Sequence, residues 1–117
     1  PKDQLTDRYE RFFVSEMIRG KILETYQKEI PYSVEIEIES FQEESNLVRI
    51  AAVIYVARDT QKGIIIGHRG EMLKRVGTGA RKEIEAFLGK KVFLEMYVKV
   101  ARDWRDSTGM LKKFGYI

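Results

Sequence analysis

The sequence predicts an α+β domain in which a three-stranded sheet is covered on one face by helices. Three observations lead to this prediction. Three segments alternate apolar and polar residues with a period of two, as half-buried strands do. Two longer segments instead carry apolar residues at helical spacing, one before the strands and one between them. The total length of 117 residues fits one domain with its own hydrophobic core.

The first helix is predicted to begin near Asp7, which has capping-box spacing to Glu10. It is expected to end near Glu29, because Pro31 disfavours helical geometry at the residue before it. Its apolar side chains form two neighbouring rows, Phe13 with Met17 and Val14 with Ile18 and Ile22.

The strands are predicted over residues 33–39, 48–57 and 92–100, with a polar loop over 40–47. In each strand one set of alternate residues is apolar and the other set is mostly polar or charged. This pattern is typical of a sheet with one face against helices and one face open to solvent. Glu35, Glu37 and Glu39 are accordingly interpreted as the solvent face of the first strand.

A short helical turn and then the main helix, residues 71–88, are predicted between the second and third strands. The main helix has an apolar stripe that includes Gly77, where a missing side chain allows close backbone approach. Gly89 follows it as a helix-ending residue. After the third strand, Asp106 or Ser107 is expected to cap a tail helix ending near Phe114. The side chains expected to fasten this tail are Trp104, Leu111 and Phe114.

Several function classes are disfavoured by what the sequence lacks. The chain has no cysteine and a single histidine, His68, so neither a thiolate nor a metal site is predicted. No G-x-x-x-x-G-K-[ST] phosphate loop occurs, and Gly77-Thr78-Gly79 falls inside a helical pattern with Lys82 where a dinucleotide fingerprint needs glycine. We therefore predict no catalytic residues, no cofactor and no small-molecule substrate for this chain. No membrane-length apolar run or signal peptide is visible, and the absence of cysteine fits a reducing cytosol.

The charges are unevenly divided along the chain. Residues 1–57 carry seven Lys/Arg and eleven Asp/Glu, a net of −4, whereas residues 58–117 carry fourteen and seven, a net of +7. Such a division either localises a polyanion site in the second half or serves only solubility.

The basic half contains the most informative segment, in which Gly67 and Gly70 bracket His68 and Arg69 directly before the main helix. Glycines let the backbone adopt unusual dihedrals and approach a ligand closely. A helix N-terminus favours anions, so the segment suits a sugar-phosphate backbone. The competing interpretation is a tight turn with incidental basic residues, and the basic flank favours the functional one.

A resemblance to a known family is carried by residues 29–33, 66–81, 94–100, Trp104, Leu111 and 114–116. In these residues the chain resembles the C-terminal, type II KH domain of the Era GTPase family, which has its extra helix and strand on the N-terminal side. The resemblance implies a mixed sheet and binding of single-stranded RNA, in particular the 3′ end of 16S rRNA during assembly of the small ribosomal subunit. It also implies a preceding GTPase domain, so that residues 1–117 would be a single KH domain from a longer GTPase.

The predicted RNA site combines residues from two sources. The family's contacts carry over to Ile66, Gly67, His68, Arg69 and Gly70, while helix geometry adds Lys74, Arg75 and Arg81. Bases are expected in an apolar groove beside Ile66 and Leu73.

Further expectations concern partners and location. We expect a monomer in the cytoplasm, with peripheral inner-membrane association of the parent protein left open. Lys90 and Lys91 either contact phosphate or flank a turn, and Trp104 and Tyr116 either anchor the tail or stack on bases. The alternative function is a protein-docking module without RNA affinity of its own, which would use the sheet face or the tail helix.

Overall fold

The computed structural model describes residues 2–26, 34–102 and 104–116. Within them the first strand is antiparallel to the second, and the second is parallel to the third, in the sheet order β1-β2-β3. This arrangement confirms the α+β fold with a three-stranded mixed sheet. The elements are α1 Lys2–Thr25, β1 Glu35–Glu43, β2 Leu47–Val56, α2 Asp59–Ile66, α3 Glu71–Leu88, β3 Lys91–Val100 and α4 Thr108–Lys113.

The hydrophobic core lies between one face of the sheet and the helices α1 and α3. The predicted row Val14, Ile18 and Ile22 of α1 is buried there, and alternate residues of β2 meet it from the sheet. The neighbouring predicted row is not fully covered, because Phe13 is 42% exposed and Met17 is only partly buried. The fully buried residues include Val14, Ile18, Ile22, Ile50, Ile54, Val76, Ala80 and Ile84. Burial of so many branched aliphatic side chains fixes α3 against the sheet, and α3 in turn positions the glycine segment.

The bounds predicted for α1 were wrong at both ends. The helix begins at Lys2 and ends at Thr25, so it starts before the predicted cap at Asp7 and stops short of Glu29. At its end the Tyr26 amide still donates to the Ile22 carbonyl at 3.0 Å, and the Tyr26 side chain is buried. Pro31, on which the predicted end rested, lies outside the described residues.

Strand β1 is longer than its sequence pattern predicted. It continues through Glu43, four residues into the segment predicted as a loop. The register with β2 shifts between Ile38 and Ser40, so Glu39 is an inserted residue. After this bulge Phe41 packs against the core three residues beyond Ile38, and a period of two cannot find it.

The second face of the sheet is not open along its whole length, which corrects the prediction. The residues after β3 fold back over it and contact Tyr55 of β2 and Glu35 of β1, both of which are buried. Trp104 is 3% exposed and packs edge-on against Phe114, with ring centroids 5.2 Å apart. Trp104 therefore anchors the tail, as one of the two interpretations held.

Polar contacts fasten the same tail to the acidic strand. The Lys113 ammonium donates to the Tyr55 hydroxyl at 2.9 Å and lies 3.7 Å from the Glu37 carboxylate. Glu35, predicted to face solvent, instead pairs with Arg19 at 3.1 Å and accepts a hydrogen bond from the Tyr116 hydroxyl. Two of the alternating glutamates of β1, Glu35 and Glu37, thus pair with residues of the tail or of α1.

Candidate nucleic-acid interface

The glycine segment forms a sharp connection between α2 and α3. The Gly67 amide donates to the Gly63 carbonyl at 2.9 Å and completes the last turn of α2. Gly67 then adopts φ 77° and ψ −179°, and Gly70 adopts φ 76° and ψ 10°. Both backbones lie where side chains with a Cβ are disfavoured. The turn itself therefore favours glycine at both positions, whatever it binds.

The two glycines differ in the space around them. A Cβ on Gly67 would lie 2.5 Å from Cγ and 2.7 Å from Cβ of Met72, closer than nonbonded carbon atoms approach. A Cβ on Gly70 would meet no atom within 4 Å. Gly67 thus packs directly under the first turn of α3, whereas the Cβ position of Gly70 points into free space beside the groove described below.

Between the glycines, Arg69 is the one residue other than glycine with a positive φ in the described chain, at φ 54° and ψ 26°. The left-handed conformation costs a residue with a Cβ about 1–2 kcal/mol. Such outliers concentrate at ligand sites. The side chains of His68 and Arg69 are both exposed, so the turn presents them to solvent and not to the core.

A groove with a volume of about 360 Å³ begins at Gly70 and runs between α3 and β3. Gly77 lies on its floor, and a Cβ there would be 3.1 Å from the Met96 Cε. The missing Cβ at Gly77 therefore makes room for the end of the Met96 side chain, and close approach of the backbones stays a prediction. The residues that line the groove are Gly70, Leu73, Lys74, Gly77, Thr78, Arg81, Leu94 and Met96.

The groove combines an apolar wall with cations at its rim. Leu73, Leu94 and Met96 are half-buried and supply the apolar surface. Lys74 is exposed at the rim and forms no ion pair within the described residues. This combination suits a flat aromatic base on the wall and a phosphate at the rim.

The predicted site residues occupy three different environments. Gly70, Leu73, Lys74 and Arg81 line the groove, and Gly67, His68 and Arg69 form the turn at its end. Ile66 does not line the groove but is partly buried against the core. Arg75 is exposed on α3, and it too is not among the groove residues.

Sequence reasoning missed the β3 side of the groove. Leu94 and Met96 were assigned only to the apolar face of a strand, and Thr78 was not considered as a site residue. The sequence did contain part of this information, because Gly77 interrupts the apolar stripe of α3 and so leaves space between this helix and the strand on which it packs. The sequence does not show which strand that is.

Tyr26 supports the turn from outside the groove, a role that sequence reasoning also missed. Its hydroxyl donates to the carbonyl of Ile65, in the last turn of α2 directly before the glycine segment. Burial raises the pKa of Tyr26 to about 12, because the ionised phenolate would be poorly solvated there. The contact joins the end of α1 to the turn and holds it in place.

Arg81 does not lie free at the groove. Its Nη1 donates to Oε1 of Glu85 at 3.0 Å, one helical turn further along α3. The other oxygen of Glu85, Oε2, accepts the amide of Val92 at 2.9 Å. This backbone hydrogen bond, opposed by partial desolvation and assisted by Arg81 and Lys91, lowers the pKa of Glu85.

Neither a metal site nor a membrane span stands out elsewhere in the described residues. They contain no group of three or more His, Asp or Glu side chains placed to hold a metal ion. None of the described helices has the length and apolar character that a membrane crossing needs. A larger depression of about 530 Å³ lies at the start of α2, but Asp59 and Arg102 pair across it.

Comparison with known proteins identifies the family of this chain. A family model described as a KH domain matches residues 29–105. Two curated relatives named GTPase Era match 99% of this chain, one from Geotalea uraniireducens at 56% identity and one from a Geobacter species at 54%. The chain spans 39% of the length of each of these relatives.

Solved structures agree with the sequence matches. Two crystal structures of Era superpose with a TM-score of 0.85 at 37% identity, over 91% of this chain and 36% of theirs. One is Aquifex aeolicus Era bound to GDP·AlF4⁻. The other is Era in complex with MgGDPNP and nucleotides 1506–1542 of 16S ribosomal RNA. The chain therefore belongs to the KH domain family, and it is similar along nearly its whole length to a part of GTPase Era.

Proposed function

We propose that this chain binds single-stranded RNA in the groove between α3 and β3, with the glycine turn holding the sugar-phosphate backbone. The observation that carries the proposal is the groove itself, which is apolar inside, cationic at the rim and continuous with a turn in which Gly67, Arg69 and Gly70 have positive φ. A KH domain uses such a turn to clamp about four nucleotides.

The roles of the residues follow from their positions. Arg69 and Lys74 hold phosphates, and His68 contacts the backbone between them. Leu73, Leu94 and Met96 receive the faces of unstacked bases. Phosphate contacts give affinity without sequence preference, whereas base edges give selectivity. Ile66 supports the turn from the core side, and Arg75 adds positive potential from outside the groove.

The biological ligand in this proposal is the 3′ end of 16S rRNA, bound during assembly of the small ribosomal subunit in the cytoplasm. The support is the similarity to Era, together with the crystal structure of Era with a segment of that RNA. Because the chain spans 39% of its relatives, we propose that it acts as one domain of a longer GTPase. Nucleotide hydrolysis then belongs to the remainder of that protein.

The test is a binding titration by fluorescence anisotropy, with the ribosomal 3′ tail and a scrambled RNA of equal length. We expect binding that weakens with salt at a slope of about −0.7 per phosphate contact on a single strand. Replacing His68 and Arg69 together with Asp should weaken binding at least tenfold, because it puts like charges against phosphates. The turn is exposed, so this variant should still fold.

A matched control separates the site from overall charge. Thr108→Asp with Lys112→Asp makes the same change in net charge on α4, where both side chains are exposed and lie outside the groove. This control should bind RNA nearly as the unaltered chain does. If the unaltered chain shows no salt-dependent RNA binding but captures a protein partner, the docking alternative replaces this proposal. Phe93 and Tyr97, exposed on the uncovered part of the sheet, would be the first candidates for that surface.

A further inference from the structure

The second face of the sheet, turned away from α1 and α3, holds the chain's own tail through a particular set of groups. The Lys113 ammonium lies 4.8 Å from the centre of the Tyr55 ring and 3.7 Å from the Glu37 carboxylate. The next residue, Phe114, packs on the same tyrosine with ring centroids 5.2 Å apart. A cation over a tyrosine ring and beside a carboxylate, followed by an aromatic side chain, therefore fits this face.

The uncovered part of the same face offers a similar set. Phe93 and Tyr97 of β3 are 47% and 46% exposed, and they lie on the same side of the sheet as Tyr55, because paired residues and residues two apart share a face. Tyr97 donates a hydrogen bond to the Glu95 carboxylate at 2.6 Å. This bond raises the pKa of Tyr97, with smaller contributions from the charge of Glu95, from desolvation and from the charge of Glu39. Both carboxylates thus act on the Tyr97 ring.

The space between the two rings is shallow and apolar. Ala51 of β2 pairs with the residue midway between Phe93 and Tyr97, so only a methyl group forms the floor there. At the Phe93 end a cation is already present, since the Arg49 guanidinium lies 5.6 Å from the ring centre and pairs with Glu44 at 2.8 Å. Within the described residues, no Lys or Arg lies over the Tyr97 ring. The position that Lys113 occupies on Tyr55 therefore has no counterpart on Tyr97.

We propose that this uncovered surface, the sheet patch of Glu39, Ala51, Phe93, Glu95 and Tyr97, docks a partner protein through a segment with a Lys or Arg next to an aromatic residue. The partner's cation lies over Tyr97 between the two carboxylates, and its aromatic side chain packs on Ala51 against Phe93. The same carboxylates repel phosphates, so the patch favours a basic protein segment over RNA. The RNA groove lies on the opposite face, so this inference goes beyond the proposed function and does not rest on it.

The probe is an amidated synthetic peptide with the sequence of residues 107–116, because its Lys113 and Phe114 are the pair that this face already holds. It is titrated into the isotope-labelled chain, and backbone amide shifts are followed by NMR. We expect saturable shifts centred on Ala51, Phe93 and Tyr97. A second peptide, with both lysines replaced by Glu, should bind about fivefold or more weakly, because it loses its cations and meets two carboxylates.

Matched variants of the chain separate the patch from overall charge and aromatic content. Tyr97→Ala with Glu39→Gln should weaken peptide binding about fivefold or more, the combined effect of one cation–π contact and one ion pair. Tyr9→Ala with Glu24→Gln makes the same changes on α1, which packs on the other face of the sheet, and should leave the affinity within about twofold. All four side chains are exposed, so both double variants should fold.

Several results would overturn the proposal. Shifts confined to Tyr55 and Trp104 would mean that the peptide only takes the place of the chain's own tail. Absence of peptide binding, or equal losses in the two double variants, would remove the docking surface. Shifts of Phe93 and Tyr97 on titration with the 16S rRNA 3′ tail would assign the patch to nucleic acid instead. Normal RNA binding at the groove without peptide binding would leave the proposed function intact and remove this inference alone.

Discussion

Substitution of Gly67 by Ala should destabilise the domain far more than the same substitution at Gly70. At Gly67 the φ of 77° with ψ of −179° lies in a region used almost only by glycine, and forcing alanine there costs about 1–3 kcal/mol. The added methyl would also lie 2.7 Å from the Met72 Cβ and 3.1 Å from its amide nitrogen. The first turn of α3 holds both atoms, so this overpacking adds about 1–3 kcal/mol.

The expected total at Gly67 is a loss of about 2–6 kcal/mol in the free energy of unfolding. At Gly70 the left-handed conformation costs about 1–2 kcal/mol, and no atom lies within 4 Å of the added methyl. Equilibrium urea denaturation of both variants measures the difference, with the slope checked for two-state behaviour. Equal losses at the two glycines would refute the claim that Gly67 is fixed by its contact with Met72.

Three further predictions concern residues beside the turn and at the far end of α3. Gly63→Ala should stabilise the domain by about 0.5–1 kcal/mol in thermal or urea unfolding, because Gly63 is helical and a methyl there meets no atom within 4 Å. Tyr26→Phe should cost about 1–3 kcal/mol by leaving the Ile65 carbonyl without its donor. Folded Tyr26 keeps its proton to about pH 12, whereas the phenol of the unfolded chain loses its proton near pH 10. The stability of the unaltered chain should therefore fall between these two pH values, and that of Tyr26→Phe should fall less. Glu85 has a lowered pKa, so its ionised carboxylate stabilises the folded state. This stabilisation should be present above the ordinary pKa of 4.5 and lost as the pH falls below it. Glu85→Gln should lack this dependence in acid denaturation.

Distinct results would contradict each of these three. A loss of stability in Gly63→Ala would show that α2 is strained at that residue. An unchanged alkaline profile in Tyr26→Phe would mean that the phenol is solvated and does not hold the turn. Parallel acid-denaturation curves for the unaltered chain and Glu85→Gln would mean that the hydrogen bond from the Val92 amide does not depend on the charge of the carboxylate.

The elements that the sequence predicted best are those with an uninterrupted period and clear ends. Helix α3 has the predicted bounds of 71 and 88, because its apolar stripe runs from Leu73 and Gly89 follows with a left-handed φ of 70°. The glycine turn was found for a similar reason, since two glycines at a helix start have few other uses. Local chemistry was sufficient in both cases.

The features that were missed depend on contacts between distant parts of the chain. The bulge at Glu39 changes the period of β1, so a pattern read at constant period ends too early. The covering of Tyr55 by the tail joins residues 58 positions apart, which no local pattern reports. The groove also depends on contacts between separate elements, because Leu94 and Met96 become site residues only when α3 packs along β3.

The central claim is that RNA lies between α3 and β3 with its backbone on the glycine turn. The most direct test is to map backbone amide shifts by NMR while the chain is titrated with the single-stranded 3′ tail of 16S rRNA. We predict that the largest changes fall on residues 66–70, on the α3 residues that line the groove and on Leu94 and Met96. Changes confined to the sheet face around Phe93 and Tyr97, or to α4, would contradict the account.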